Sequence, residues 1–134
     1  MNLKTEEPEN RKTDIFRFRE FPVYKDAREF RGNLKQLSKM KFPKEEQFCL
    51  TSQLWRALDS VLLNVAEGSD RYSDLDFSRF LNNALTSVNE VVACLDCALD
   101  GKYISGIEHQ ENLGKAEKIY RQLKAFASKV RNSS

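Results

Sequence analysis

The amino-acid sequence predicts an all-α fold, an antiparallel up-down-up-down four-helix bundle. Four long segments carry apolar residues at the three- and four-residue spacing of a helix with one buried side. Only 5 Gly and 3 Pro occur in 134 residues, which leaves few breaks for a many-stranded fold. The connections between the segments are short, so consecutive helices are expected to lie side by side and antiparallel. A chain of this length fits one domain.

The first helix is predicted to run from Pro22 to about Met40. Proline lacks a backbone N–H and is tolerated in the first turn of a helix. Ahead of it, residues 1–14 are polar and charged and predict a disordered N-terminal tail. Residues 15–21 are rich in aromatic side chains and predict an extended lead-in that packs on the domain. The four-helix bundle domain is therefore assigned to residues 15–131. The apolar positions of the first helix are Val23, Ala27, Phe30, Leu34 and Leu37.

The second helix is predicted to begin at Pro43. Glu45 and Glu46 then fall in its first turn, where negative charge complements the helix dipole. Gly68 is predicted to end the helix as a left-handed C-terminal cap. The clearest part of the pattern covers residues 50–68, with apolar positions at Leu50, Leu54, Ala57, Leu58, Val61, Leu62 and Val65.

Capping residues mark the third and fourth helices. Ser73 with Asp76 resembles a capping box and starts the third helix, which is predicted to stop at Gly101. Ser105 with Glu108 is a full capping box and starts the fourth helix. The third helix has apolar positions at Phe77, Phe80, Leu81, Ala84, Leu85, Val88, Val91, Val92, Leu95 and Leu99. Those of the fourth are Leu113, Ala116, Ile119, Tyr120, Leu123, Phe126, Ala127 and Val130.

A second, polar stripe runs beside the apolar stripe of the second helix, and the third helix has a polar flank of its own. The residue types are amides, hydroxyls, a guanidinium and carboxylates, which form hydrogen bonds of fixed geometry. We interpret them as a polar seam, buried or between subunits, that sets helix register or subunit geometry; an ordinary wet surface and paired catalytic carboxylates are the alternatives. The seam consists of Gln53, Arg56, Ser60, Asn64, Glu67, Ser87 and Glu90, with Asn83 beside it.

The net charge of +2 hides an uneven distribution. Residues 11–44 hold eleven Lys or Arg against four Asp or Glu, and a second basic run lies near the C-terminus. In an up-down bundle the first and fourth helices are neighbours, so their cations are expected to form one field that attracts nucleic-acid phosphates. The alternative is a solvated face. The predicted contacts are Arg28, Arg31, Lys35, Lys39, Lys118, Arg121 and Lys124.

The sequence offers little support for catalysis or metal binding. Cys94 and Cys97 have C-x-x-C spacing, but they lie inside a continuous helical pattern, whereas a redox site would stand between a strand and a helix. Cys49 and His109 are far apart in sequence and do not complete a zinc site. Free thiols beside the core are the better interpretation. No metal, no cofactor and no catalytic residue is predicted, and the protein is expected not to be an enzyme.

The protein is expected to be cytoplasmic. No run of 18 apolar residues exists, and the N-terminus lacks the apolar core of a signal peptide. The 3 cysteines are an odd number in a chain without an export signal, which favours free thiols over a disulfide framework.

Four short motifs occur between Phe21 and Ile104: FPKEEQFCLTSQL at 42–54, NVAEG at 64–68, FSRFL at 77–81 and SVNE at 87–90. They resemble the Pro-x-Glu-Glu, Leu-Thr-Ser-Gln, Asn-Ile-Ala-Glu-Gly and Ser-x-x-Glu signatures of the bacterial four-helix bundle protein family, in order and at similar spacing. Its members are also known as intervening-sequence proteins, because some are encoded inside insertions in large-subunit ribosomal RNA genes. The sequence departs from the pattern at Trp55, where the family commonly has Arg; we interpret Trp55 as a core or subunit contact, with a platform for stacking a ligand as the less favoured alternative.

The resemblance implies a homo-oligomer, in related proteins a ring of five, with no known enzymatic activity. A distantly similar protein, the accessory factor of diversity-generating retroelements, uses a positively charged pentameric barrel to bind nucleic acid and a reverse transcriptase. The expected function is therefore a non-enzymatic homo-oligomeric bundle that binds RNA or DNA through a basic face on the first and fourth helices. The alternative is a protein–protein interaction scaffold or accessory subunit, for example of a reverse transcriptase, without direct nucleic-acid binding.

Overall fold

Four α-helices make up the architecture of the described part of the chain. The computed structural model describes residues 15–133, so the predicted tail at residues 1–14 lies outside the described residues. The all-α prediction is confirmed, and no strand occurs between residues 15 and 133. The helices are α1 (Pro22–Lys41), α2 (Leu50–Gly68), α3 (Asp74–Asp100) and α4 (Gly106–Asn132).

The order of the contacting residues shows how neighbouring helices are oriented. In α1 and α2, Arg31 contacts Asp59, while the later Ser38 contacts the earlier Trp55. In each of the other three helix pairs, too, a later residue of one helix contacts an earlier residue of the other. The contacts are Ser60–Ser87 and Gly68–Phe80 between α2 and α3, Asp74–Ser133 and Asp96–His109 between α3 and α4, and Asp26–Gln122 and Lys41–Glu108 between α1 and α4. Each helix is therefore antiparallel to its neighbours, and α1 lies between α2 and α4.

The core is built from the apolar stripes of all four helices. Leu34, Leu54, Leu81 and Leu123 are each almost fully buried, one from each helix. Leu113 was expected in the core but is exposed. The apolar side chains predicted from the periodicity therefore face the core along most of each helix.

An aromatic cluster closes one end of the core. The Phe21 ring packs edge-on against Phe126 at 5.1 Å, and Phe126 packs edge-on against Phe77 at 5.4 Å. The guanidinium of Arg17 lies 5.5 Å from the centre of the Phe21 ring, and its Nη2 donates a hydrogen bond to the carbonyl of Ser69 at 2.9 Å. The prediction of an extended lead-in is wrong at Arg17–Glu20, because these residues form a 3-10 turn. Arg17 lies in this turn, and Phe21 follows it directly.

The predicted start of the second helix at Pro43 is also wrong. Lys44–Glu46 form a 3-10 turn, and α2 begins only at Leu50. The side chain of Glu46 explains the break, because its Oε1 accepts a hydrogen bond from the Leu50 N–H at 3.1 Å and its Oε2 accepts one from the Tyr103 hydroxyl at 2.7 Å. This carboxylate satisfies a free donor at the new helix start, as an N-terminal cap does.

Helix ends were predicted best where a side chain caps them. Ser73 accepts from the Asp76 N–H, and both bonds of the Ser105–Glu108 capping box are present. Gly68, in contrast, is not a left-handed cap: no described glycine has positive φ, and Gly68 lies buried inside the last turn of α2. Between residues 15 and 133, no helix is both long and apolar enough to cross a membrane.

Candidate nucleic-acid interface

A row of basic side chains lies along one side of α1. Arg28, Arg31, Lys35 and Lys39 are three or four residues apart, a spacing that aligns side chains on a helix. Arg28 and Lys39 are exposed, and Arg31 and Lys35 are half-buried. We call these four residues the α1 basic row.

One carboxylate on α2 faces the α1 basic row. Asp59 Oδ1 lies 2.6 Å from Nε of Arg31 and 3.1 Å from Nζ of Lys35. Partial burial opposes ionisation of Asp59, but the hydrogen bonds and charges of Arg31 and Lys35 outweigh it and hold the pKa of this carboxyl below its usual value. Among residues 15–133, no other carboxylate forms an ion pair with the row. The row therefore keeps a surplus of positive charge.

Trp55 lies beside the same row. Its indole Nε1–H donates a hydrogen bond to Oγ of Ser38 at 2.9 Å, and the Ser38 hydroxyl donates in turn to the carbonyl of Lys35. The Nζ atoms of Lys35 and Lys39 lie 4.8 and 5.6 Å from the centre of the indole ring, within the range of cation–π attraction. The ring packs against the core and stays partly exposed. An aromatic surface is thus placed among cations.

The predicted cations of α4 do not join the α1 basic row. Nζ of Lys118 lies 3.8 Å from Oδ2 of Asp26, and Nη2 of Arg121 lies 2.9 Å from Oε2 of Glu117. Nζ of Lys124 lies over the ring of Tyr120 on the same helix. The side of α1 that faces α4 carries Asp26 and Glu29, which line a groove with Lys115 and Lys118. The basic row is turned to α2 instead, so the two predicted sets lie on different flanks of α1.

The polar seam is divided between an inner and an outer part. In the inner part, the Ser87 hydroxyl of α3 donates to Oγ of Ser60 on α2 at 2.7 Å, and Nδ2 of Asn64 donates to the Ser60 carbonyl at 2.9 Å and to its Oγ at 3.1 Å. Ser87 is only 4% exposed. This part of the seam holds α2 and α3 together within one chain.

The outer part of the seam faces away from the bundle. Gln53, Arg56, Glu67 and Glu90 are all exposed, as is Asn83. Glu67 pairs with Arg71 on the next turn at 3.2 Å, whereas within residues 15–133 Arg56 and Glu90 form no ion pair. Leu63 lies on the same side of α2 and is 66% exposed. This outer face is therefore a polar surface with an apolar residue in it.

The cysteine pair and the histidine sit in different surroundings. Cys94 is buried and Cys97 is exposed; burial first, then the nearby Cys97 and Glu90, raise the pKa of the Cys94 thiol to about 11. Nε2 of His109 lies 2.8 Å from Oδ1 of Asp96. In the described part of the chain, no group of three or more His, Cys, Asp or Glu side chains is placed to hold a metal ion.

Comparison with known proteins shows which family the chain belongs to. The family model of the 23S rRNA-intervening sequence protein matches residues 19–125, which is most of the chain. The chain belongs to this family. A protein of unknown function from the S23 ribosomal protein family of Bacteroides thetaiotaomicron has a similar solved structure, with a TM-score of 0.72 and 24% identity over 79% of this chain and 95% of that chain. At this identity the likeness supports the fold. No significant match is found among curated proteins.

The residues matched by the intervening-sequence family include α1, α2, α3 and most of α4. The α1 basic row and the polar seam both lie inside this region. Sequence reasoning identified both sets but missed the position of Trp55 next to the cations. The sequence did contain a signal for this position of Trp55. Trp55 precedes Asp59 by four residues, and residues four apart lie on one side of a helix, so both side chains lie on the side of α2 that faces the cations.

Proposed function

We propose that this intervening-sequence family member is a non-enzymatic, homo-oligomeric helical-bundle protein that binds RNA or DNA through the α1 basic row. The supporting observation is that four cations lie on one side of α1 and that, among the carboxylates of residues 15–133, only Asp59 forms ion pairs with them, through Arg31 and Lys35. The row from Arg28 to Lys39 is about 16 Å long at the rise of an α-helix. A row of this kind attracts phosphates and releases their counterions on binding.

The α4 cations contribute less in this proposal. Lys118 and Arg121 each lie beside a carboxylate, Asp26 and Glu117 respectively. A phosphate approaching these side chains meets a local charge close to zero. The function first expected from helices one and four together therefore rests mainly on α1.

The salt dependence of binding tests the proposal. The affinity of the full-length protein for a mixed-sequence oligonucleotide is measured from low to physiological salt. Four phosphate contacts predict a slope of about −3 to −4 in a plot of log affinity against log salt. A flat response, or no binding at low salt, contradicts nucleic-acid binding.

Paired charge removals locate the interface. Arg28→Gln with Lys39→Gln removes two exposed cations of the α1 basic row, and Lys118→Gln with Arg121→Gln is the matched control on α4. The first pair is expected to lower affinity strongly and to reduce the salt slope by about 2, since each lost phosphate contact reduces it by about 1. Equal losses for the two pairs would show that only net charge matters.

The outer part of the polar seam supports the assembly half of the proposal. Arg56 and Glu90 are exposed groups of opposite charge, and within residues 15–133 neither has an ion-pair partner; Leu63 is exposed on the same side of α2 as Arg56. Such groups can pair across an interface between copies. The same face also supports the second candidate function, a scaffold or accessory subunit that binds another protein, such as a reverse transcriptase.

Mass measurement in solution tests this face. The wild-type protein is expected to be an oligomer, and Arg56→Ala or Leu63→Glu is expected to reduce its mass toward that of one chain. Gln36→Ala, at an exposed position on α1, is the control and should leave the mass unchanged. A wild-type protein that stays monomeric at all concentrations contradicts self-assembly and leaves the face to a different protein. An oligomer that persists in both variants excludes the outer seam as the interface.

A further inference from the structure

We infer that the nucleic acid bound at the α1 basic row is single-stranded, with one unpaired base stacked on Trp55. The inference rests on the proposed function and makes it more specific. It depends on a juxtaposition of three side chains on two helices, Trp55 of α2 with Lys35 and Lys39 of α1.

The orientation of the indole ring is set before any ligand binds. Ser38 is buried, and its Oγ accepts the hydrogen bond from Trp55 Nε1–H at 2.9 Å. The N–H edge of the ring is therefore directed at α1, and the body of the ring packs on the core. A ring held in this way loses little conformational entropy when a base stacks on it, because its rotamer is already selected.

The cations next to the ring match the chemistry of a nucleotide. Nζ of Lys35 lies 4.8 Å and Nζ of Lys39 lies 5.6 Å from the ring centre. Both ammonium groups lie over the ring, so a base that stacks on it displaces these flexible side chains. A nucleotide carries an anionic phosphate next to its flat base, and the displaced ammonium groups can pair with that phosphate. Proteins that bind single strands without sequence preference combine a positively charged groove with aromatic side chains in this manner.

A double helix cannot use the ring in the same way. Each base inside a duplex is covered on both faces by its neighbours, so an indole at the protein surface reaches only an unpaired base. Duplex binding would use the cations of the α1 basic row and leave Trp55 without a role. An acidic peptide would likewise use the cations alone.

Trp55 is the single tryptophan of the chain, so its fluorescence reports directly on the site. The full-length protein is titrated with a short oligomer of deoxythymidine, the same length of oligouridine, a mixed-sequence duplex and polyglutamate. The single strands are expected to quench the fluorescence, and the duplex and polyglutamate are expected not to. The deoxythymidine and uridine arms then show whether DNA or RNA is preferred. Equal quenching by the duplex or by polyglutamate overturns the inference.

Two substitutions separate stacking from folding. Trp55→Leu is expected to lower single-strand affinity about fivefold or more, the loss that corresponds to about 1 kcal/mol of stacking, and to leave duplex affinity unchanged. Trp55→Phe also loses the bond to Ser38 but keeps an aromatic face, and should retain most of the single-strand affinity. If neither the single strands nor the duplex bind at low salt, the proposed function fails together with the inference. If they bind and Trp55→Leu binds them as the wild type does, only the stacking inference fails.

Discussion

The hydroxyl groups of Ser60 and Ser87 meet across the interface of α2 and α3, with their Oγ atoms 2.7 Å apart. Apolar residues surround this pair along both helices, and Ser87 is almost fully buried. The Ser87 hydroxyl also lies 3.2 Å from the carbonyl of Asn83 on its own helix, so a shift of one helix along the other would break the bond between the helices without leaving this hydroxyl unpaired. The pair therefore favours one register of α2 on α3.

Ser87→Ala is expected to lower the free energy of unfolding by about 1 kcal/mol, the usual net contribution of one hydrogen bond. Thr86→Ala is the control, because the Thr86 hydroxyl is exposed and bonds only to the Asn82 carbonyl on its own helix. Its effect should stay within about 0.5 kcal/mol. Urea denaturation measures the free energy of unfolding of both variants. A double-mutant cycle of Ser60→Ala and Ser87→Ala should show a coupling energy of at least about 0.5 kcal/mol. Additive losses would mean that the two hydroxyls do not interact.

Gly68 is predicted to be intolerant of alanine for reasons of space. A Cβ at this position would lie 2.6 Å from Cβ of Phe80 and 3.0 Å from Cδ1 of Phe77, so α2 and α3 would have to move apart. Gly68→Ala should therefore destabilise the protein by about 1–3 kcal/mol, as overpacking does. Gly32→Ala is the matched control inside α1, where a new Cβ meets no atom within 4 Å. It should stabilise by about 0.5–1 kcal/mol, since alanine favours helix more than glycine does. Thermal melting of the two variants should give shifts of opposite sign.

These two glycines also show where sequence reasoning stops. A glycine after an apolar run indicates either a left-handed cap or a close approach of two elements, and the run itself is the same in both cases. Only the tertiary contact with Phe80 decides for Gly68. The start at Pro43 failed in a similar way, because proline followed by two glutamates suits a 3-10 turn as well as an α-helix. The Ser105–Glu108 box succeeded because both of its bonds are local.

The basic surface was predicted in part for a related reason. Periodicity places Arg28, Arg31, Lys35 and Lys39 on one side of the first helix. In a bundle that helix has two neighbours, and the sequence does not say which neighbour lies on which flank. The ion pairs with Asp59 show that the row faces α2. Polar positions on two consecutive helices, in contrast, placed Ser60 and Ser87 in one predicted seam, but the sequence did not show that these two residues pair or that they do so within one chain.

The three cysteines are predicted to differ in reactivity. Cys49 and Cys97 are exposed, whereas Cys94 is buried and the pKa of its thiol is raised to about 11. At pH 8 only about one in a thousand Cys94 side chains is the reactive thiolate. A chromogenic disulfide reagent should therefore titrate two thiols rapidly in the native protein, and the third only after denaturation. Rapid reaction of three thiols in the native protein would contradict the burial of Cys94.

Asp59→Asn is predicted to have opposite effects on stability and on nucleic-acid binding. The folded-state pKa of Asp59 lies below its ordinary value of 3.8, so its ionised form stabilises the folded protein. That contribution is fully present above the unfolded-state pKa and is lost as the pH falls through the folded-state pKa. At neutral pH the variant should be less stable by up to about 1 kcal/mol, because the pair is partly exposed and screened. The difference in unfolding free energy should then shrink below about pH 4.

The same substitution removes the carboxylate that competes with phosphate for Arg31 and Lys35. Affinity for an oligonucleotide should therefore rise, with a steeper dependence on salt. Glu111→Gln makes the same change in net charge at an exposed position on α4 and is the control. If the α1 basic row is the interface, Asp59→Asn should raise affinity more than Glu111→Gln does. Equal increases would place binding elsewhere, and an unchanged affinity in Asp59→Asn would show that Arg31 and Lys35 do not contact phosphate.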